Sequence, residues 1–335
     1  MAMTAADRFY PRLLLACFLL GGLLLASALL AVAVGSSGWH VAELWNLLRG
    51  EGAGALEEAI LLKIRLPRVI LAAAVGATLS LGGLVFQALL RNPLAEPYIL
   101  GVSGGSAVGA IVGMFLGLAP FPGVVLSAFG GSMLVLVFVM AIAAGRLRVN
   151  RDSLLLGGVM MNAFCGAVIM FCISIAQRSE MQQIFFWLMG DFTMFTAERL
   201  PLLLLLLPCF AVILLLARPM NILLLGREAA VSMGISVERL TLTLLLVTTF
   251  MVSLVVCQAG LVGFVGLVIP HVFRLLLGPD HRLLGPASLL GGASYLILCD
   301  LLARRLPQTG EMPVGILTAL IGAPLFIFLL WRVRR

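Results

Sequence analysis

The chain has 335 residues, 62% of them hydrophobic and 11% charged, with a formal net charge of +7. Soluble domains carry roughly 25% charged residues, so this composition excludes a water-soluble enzyme or binding module. The 22 basic residues are scattered among apolar runs, which argues against a nucleic-acid surface and suits a membrane protein with basic cytoplasmic loops.

In chain order the apolar runs predict about ten membrane spans, each taking about 20 residues. They cover approximately 12–34, 67–90, 97–118, 122–144, 154–176, 200–217, 240–257, 261–277, 284–303 and 313–331. The first run follows Arg8 and Arg12 and exceeds the about 7–15 apolar residues of a signal peptide, so it reads as a retained span. Asn92-Pro93, Ala119-Pro120-Phe121-Pro122, Arg146 to Asp152, Arg218-Pro219 and Gly278-Pro279-Asp280 separate the others. Span 8 is interrupted by Gly260, Gly263, Gly266 and Pro270; broken helices are tolerated only against protein or a water-filled cavity. The expected fold class is all-α, a polytopic membrane protein with one transmembrane domain over 1–335. The lipid bilayer is its first partner.

With both termini in the cytoplasm, eight basic residues fall outside: Arg49, Lys63, Arg65, Arg68, Arg178, Arg199, Arg304 and Arg305. That leaves fourteen of the 22 inside, the expected positive-inside bias. Lys63, Arg65 and Arg68 cluster on the outer face, and Arg304-Arg305 form a second cluster there. Such arginines either snorkel to headgroups or dock an acidic partner. Asp300 and Arg304 also stand i,i+4 on one helix, the spacing of a local ion pair.

Lys63 is the one lysine, and Leu61-Leu62-Lys63-Ile64 is no phosphate loop, which needs G-x-x-x-x-G-K-[ST]. If ATP drives this chain, another subunit binds it; no cofactor and no metal is assigned here. The six cysteines lie inside apolar runs without a C-x-x-C pair and read as small hydrophobes. His271 reads as a packing residue, and His40 and His281 as loop residues. No H-E-x-x-H, G-x-S-x-G or paired intramembrane aspartate points to an intramembrane enzyme. An ion-coupled secondary transporter has one intramembrane acid to use, Asp300.

Small residues from Gly101 to Gly109 let helices pack closely. In span 5, positions 158, 162, 165/166, 169 and 173 share a helical face. Asn162 there costs energy unless paired or wetted. Leu224 to Ser236 is a short amphipathic segment, read from its residues alone as an interfacial helix.

Arg65-Leu-Pro-Arg68, Asn92-Pro-Leu-Ala-Glu-Pro97 and Leu100-Gly-Val-Ser103 resemble the permeases of type II ABC importers, the iron-chelate, haem and cobalamin uptake family. So do Arg218-Pro-Met-Asn221, Leu225-Gly226-Arg-Glu-Ala229-Ala-Val-Ser-Met233-Gly234, Gly263 to His271 and Gly315 to Pro324. The resemblance covers nearly the whole chain. It implies ten helices, a homodimer, two cytoplasmic ATP-binding subunits, a periplasmic substrate-binding protein and the bacterial inner membrane. It makes 224–236 the ATPase-coupling helix, bounded by Gly226 and Gly234, with Arg227, Glu228, Ala229, Ala230 and Met233 as contacts. It assigns binding-protein docking to Arg65, Arg68 and Arg304. It places the translocation path or gate at Asn92, Leu94, Asn162, Gly166 and Ile169, with a second gate near Asn150 to Ser153. There this chain departs from the small hydroxyl residues of the cobalamin-importing members.

Overall fold

The computed structural model describes residues 5–35, 38–39, 45, 49, 58–143, 151–307 and 310–333. Its helices are α1 (Ala5–Ala33), α2 (Leu66–Leu90), α3 (Val102–Phe115), α4 (Val125–Ala143), α5 (Arg151–Ile175), α6 (Arg178–Leu188), α7 (Leu200–Leu203), α8 (Leu206–Leu215), α9 (Ala217–Leu225), α10 (Arg227–Ser232), α11 (Val237–Ala259), α12 (Val265–Leu277), α13 (His281–Arg305) and α14 (Val314–Val333). Val34 and Gly35 pair antiparallel with Trp39 and Gly38. Among the described residues, seven helical stretches are long and apolar enough to cross a membrane. Three shorter apolar helices, Val102–Phe115, Val265–Leu277 and Val314–Leu329, stand where spans 3, 8 and 10 are expected. The all-α, ten-span expectation therefore holds.

Several boundaries move for identifiable reasons. A π-helical turn, Ile60–Arg65, leads into α2, so span 2 starts before Pro67. Span 3 opens with a 3-10 turn at Pro97–Leu100, and Gly101 at φ +75° resets the chain before α3. Span 8 starts at Val265, because Gly260 (φ +70°) and Phe264 (φ +68°) hold a non-helical loop. That loop runs through the interior, and its backbone groups find partners there. The Tyr98 hydroxyl donates to Val262 O at 3.0 Å and accepts from Val262 N–H at 3.2 Å. Leu261 N–H donates to Trp187 O at 3.3 Å. These bonds satisfy the requirement that buried backbone be paired internally. His281 opens α13 and is buried, so it is no loop residue; His40 and Asn150 lie outside the described residues.

The bundle is organised on α2. The apolar window of α2 is 83% buried, against 6% for α1. Glycine makes this possible. A Cβ on Gly76 would overlap the backbone of Gly292 in α13, and one on Gly83 would overlap the backbone of Gly266 in α12. Membrane helices gain no hydrophobic drive toward each other, so close backbone approach and dispersion hold them. Gly105 and Gly131 repeat the device between α3 and α4. By contrast α1 and α5 turn large side chains outward, such as Phe18, Phe164 and Phe171, toward lipid or a partner.

Gly83→Val should lower the melting temperature in detergent by several degrees or prevent folding, since overpacking costs about 1–3 kcal/mol and the obstacle here is backbone. Gly22→Val, with nothing within 4 Å of its Cβ position, should leave the melt unchanged.

Candidate functional site

The candidate residues fall at three places: the Arg65 end of the bundle, the opposite Gly226 end, and α5. At the Arg65 end, α1, α2 and α13 converge on Asp300. Arg68 Nε donates to Asp300 Oδ1 at 2.9 Å, and Arg304 Nε lies 3.1 Å from Asp300 Oδ2. Arg68 also pairs with Glu311. The C-terminus of α1 supplies further acceptors. Arg304 Nη2 donates to Ala31 O at 3.1 Å and Arg65 Nη1 to Val32 O at 3.1 Å. Arg305 Nη1 donates to Gly35 O at 3.4 Å. Cations are favoured at a helix C-terminus because its last carbonyls lack intrahelical partners.

Arg65, Arg68 and Arg304 therefore do not form an exposed basic surface: they are 6%, 8% and 4% accessible. The expected outer basic patch is thus internal at these three positions, held by Asp300, Glu311 and the carbonyls that close α1. The i,i+4 pairing of Asp300 with Arg304 is present, but it is part of a larger cluster. Lys63 and Arg305, flanking the cluster, are exposed. Glu311 completes the cluster from 243 residues away, and no local pattern announced it.

At the Gly226 end, α9 stops at Gly226 (φ +128°), α10 follows, and Gly234 (φ +80°) turns the chain toward α11. Val231 and Met233 are exposed, as are Leu224 and Leu225 before the break. Glu228 is exposed and Ala229 half-buried. Ala230 is fully buried and packs inward within the chain, while Val231 takes the outward position. Arg227 pairs with Glu238 and ties α10 to α11. Beneath them, Asn221 Nδ2 donates to Asp280 Oδ1 at 2.7 Å, and Asn221 Oδ1 accepts from His281 N–H at 2.9 Å. Asp280 caps α13 through Arg282 N–H at 3.0 Å. Burial pushes the Asp280 carboxyl up, but hydrogen bonds from Arg282 and Asn221, with the Arg282 charge, outweigh it and hold it at about 2.

The predicted gate segment lies at the same end. Asn92 Oδ1 accepts from Leu94 N–H at 2.9 Å, and Asn92 O accepts from Ala95 N–H at 3.1 Å. Leu94 is exposed while Ala95 is buried. Burial raises the Glu96 carboxyl, and a hydrogen bond it accepts from the backbone of Phe264 offsets this in part.

On α5, Gly158 meets Ile99 O, and Asn162 and Cys165 lie against Gly104 of α3. Gly166 has open space where a Cβ would stand. Ile169 packs with Ile111, Cys172 and Ile184. Asn162 is exposed. Asn162, Gly166 and Ile169 thus sit on α5, and Asn92 and Leu94 in the loop after α2.

Charge removal at the Arg65 end has a graded expected outcome. Asp300→Ala leaves Arg68 and Arg304 buried without their carboxylate, a loss of about 3–5 kcal/mol. Glu311→Gln, at a partly exposed pair, should cost about 1 kcal/mol or less. Thermal melts of the purified variants check the order; equal effects would contradict the cluster.

The sequence profile of the FecCD transport family matches residues 6–332. The hemin transport system permease protein HmuU of Yersinia pestis is 38% identical over 338 residues, covering 98% of each chain. The vitamin B12 import system permease protein BtuC of Klebsiella pneumoniae is 38% identical over 287 residues, covering 85% of this chain and 86% of its own. Among solved structures, an inward-facing transporter described as of metal-chelate ABC type superposes with a TM-score of 0.85 at 32% identity. It covers 94% of this chain and 98% of its own. These likenesses do not support an ion-coupled carrier that works without an ATPase.

Proposed function

This chain belongs to the FecCD transport family and is the membrane permease of a type II ABC importer, a transport component and not an enzyme; from that premise we propose how it works and what it carries. Such permeases imply an ATP-binding subunit and a substrate-binding protein. The proposed cargo is an iron-siderophore, haem or cobalamin complex, passed into the cytoplasm by alternating access. The support is the pair of relatives named for hemin and vitamin B12. ATP is bound by the partner subunit, and this chain itself carries no cofactor.

The proposed assembly is a homodimer in the bacterial inner membrane with two cytoplasmic ATPase subunits and a periplasmic binding protein. Both termini face the cytoplasm, which puts the Gly226 end inside and the Arg65 end outside. The open face of α5, reached at Asn162 and Gly166 with Ile169 packed behind them, then lines a path between two copies. Asn92 and Leu94 border its cytoplasmic mouth.

The observation that carries the coupling assignment is α10 itself. A one-and-a-half-turn helix between two glycines presents Val231 and Met233 to the outside while Ala230 anchors it. Exposed apolar side chains on a rigid mount are what a partner groove accepts. Replacing Val231 and Met233 together by Glu should weaken ATPase capture by at least about tenfold, equivalent to about 1.4 kcal/mol. Pull-down of the ATPase subunit on permease in nanodiscs checks this. Undiminished capture would remove the coupling role from α10.

Docking of the binding protein is proposed at the opposite end. Lys63 and Arg305 offer the first charges, and Arg68 is reached past Glu311, with Arg65 and Arg304 beneath. Partly desolvated charge pairs steer association and set its salt dependence. Lys63→Glu with Arg305→Glu should slow association by at least about tenfold at low salt and flatten its salt dependence. Surface plasmon resonance of binding protein over nanodiscs measures both. An unchanged on-rate, or capture of both partners from one membrane side, would overturn this arrangement.

A further inference from the structure

The geometry points to Arg91 as the residue that links the coupling helix to the cytoplasmic gate loop. This inference rests on the permease reading and assigns a positioning role within it. Arg91 ends α2 with φ +50°, a left-handed backbone that favours glycine. The residue there is nonetheless a long-chain arginine. Its guanidinium does not cap its own helix. Arg91 Nη2 donates at 2.6 Å to Leu223 O, 132 residues away in the last turn of α9. The same oxygen accepts from Gly226 N–H at 3.3 Å, and Gly226 is the break from which α10 departs. One carbonyl thus joins the hinge of α10 to the residue preceding Asn92.

The segment after Arg91 is built to transmit a displacement. Asn92 Oδ1 and Asn92 O hold Leu94 and Ala95 in a turn, Ala95 is fully buried, and Tyr98 is bonded to Val262. The other side of α9 is held by Asn221 on Asp280 and His281, so α9 is gripped at two points. Movement imposed on α10 reaches α9 through Gly226, and the Arg91 bond carries it to the gate loop while α13 serves as the fixed side. Gln87, one turn earlier on α2, accepts from Arg274 Nη2 at 2.8 Å and donates to Gly266 O at 3.3 Å. The end of α2 is therefore tied to α12 as well.

The test uses permease with its ATPase in nanodiscs, the six native cysteines replaced by alanine and Leu94→Cys as reporter. The maleimide labelling rate at position 94 is measured without nucleotide and with ATP and vanadate, beside ATPase co-purification. With Arg91 intact, nucleotide should change the rate by roughly tenfold, as when most of a population moves between two states. Arg91→Gly, which suits the left-handed backbone, should keep ATPase capture and reduce the change to less than about twofold. Arg91→Lys, still able to donate to a carbonyl, should retain most of the response. An Arg91→Gly response equal to that with Arg91 intact overturns the link alone. Failure of both variants to assemble would make Arg91 a structural cap and overturn it too. Permease with Arg91 intact that captures no ATPase would overturn the underlying reading and this inference with it.

Discussion

The backbone contacts of α2 are the constraint on which the other features depend. At Gly76 and Gly83 there is no room for a Cβ against Gly292 and Gly266, so α2, α12 and α13 pack backbone to backbone. Dispersion falls steeply with separation, and a gap of even 0.5–1 Å forfeits about a quarter to a half of each contact. Those three helices therefore move together or lose much of what holds them. Both ends of the bundle hang on this unit. Arg68 begins α2 and Gln87 and Arg91 finish it, while Asp300 and Asp280 stand at the two ends of α13. A partner that engages either end acts on the same rigid post.

Charge at the Arg65 end follows from that geometry. Arginines inside a membrane bundle are costly and need partners. Here the partners are Asp300, Glu311 and the unpaired carbonyls that close α1. The outer basic residues break the positive-inside bias because several of them are internal fasteners between α1, α2 and α13. Buried pairs of this kind fix geometry more than they add stability. Lys63 and Arg305 stand exposed beside this cluster, and Glu311 is at its partly exposed rim.

Much of the architecture was legible because each span is a long apolar run bounded by Pro, Gly or charge. Where a span was misplaced, the cause was local backbone chemistry. The non-helical stretch before Val265 depends on Tyr98, Trp187 and Glu96, which meet it only in the folded chain. The Gly226 and Gly234 boundaries of α10 were visible as glycines, yet the inward turn of Ala230 was not, since a six-residue helix has too little periodicity to assign a face. Arg65, Arg68 and Arg304 were found by pattern and misjudged in exposure, because their acceptors are backbone carbonyls and a distant Glu311. Arg91 left no signal as a link; its meaning comes from a bond to a carbonyl 132 residues away. The resemblance carried the coupling and docking roles, and residue spacing alone left 224–236 an interfacial helix.

ATP-driven import through this chain is tested most directly in proteoliposomes that hold the permease and its ATP-binding subunit. Loaded binding protein is supplied on the Arg65 side, with labelled haemin, cobalamin and a ferric siderophore tried in turn. One of the three should accumulate when ATP reaches the ATPase, and accumulation should stop when the ATPase is omitted. Accumulation without the ATPase, driven by a proton or sodium gradient, would contradict the account.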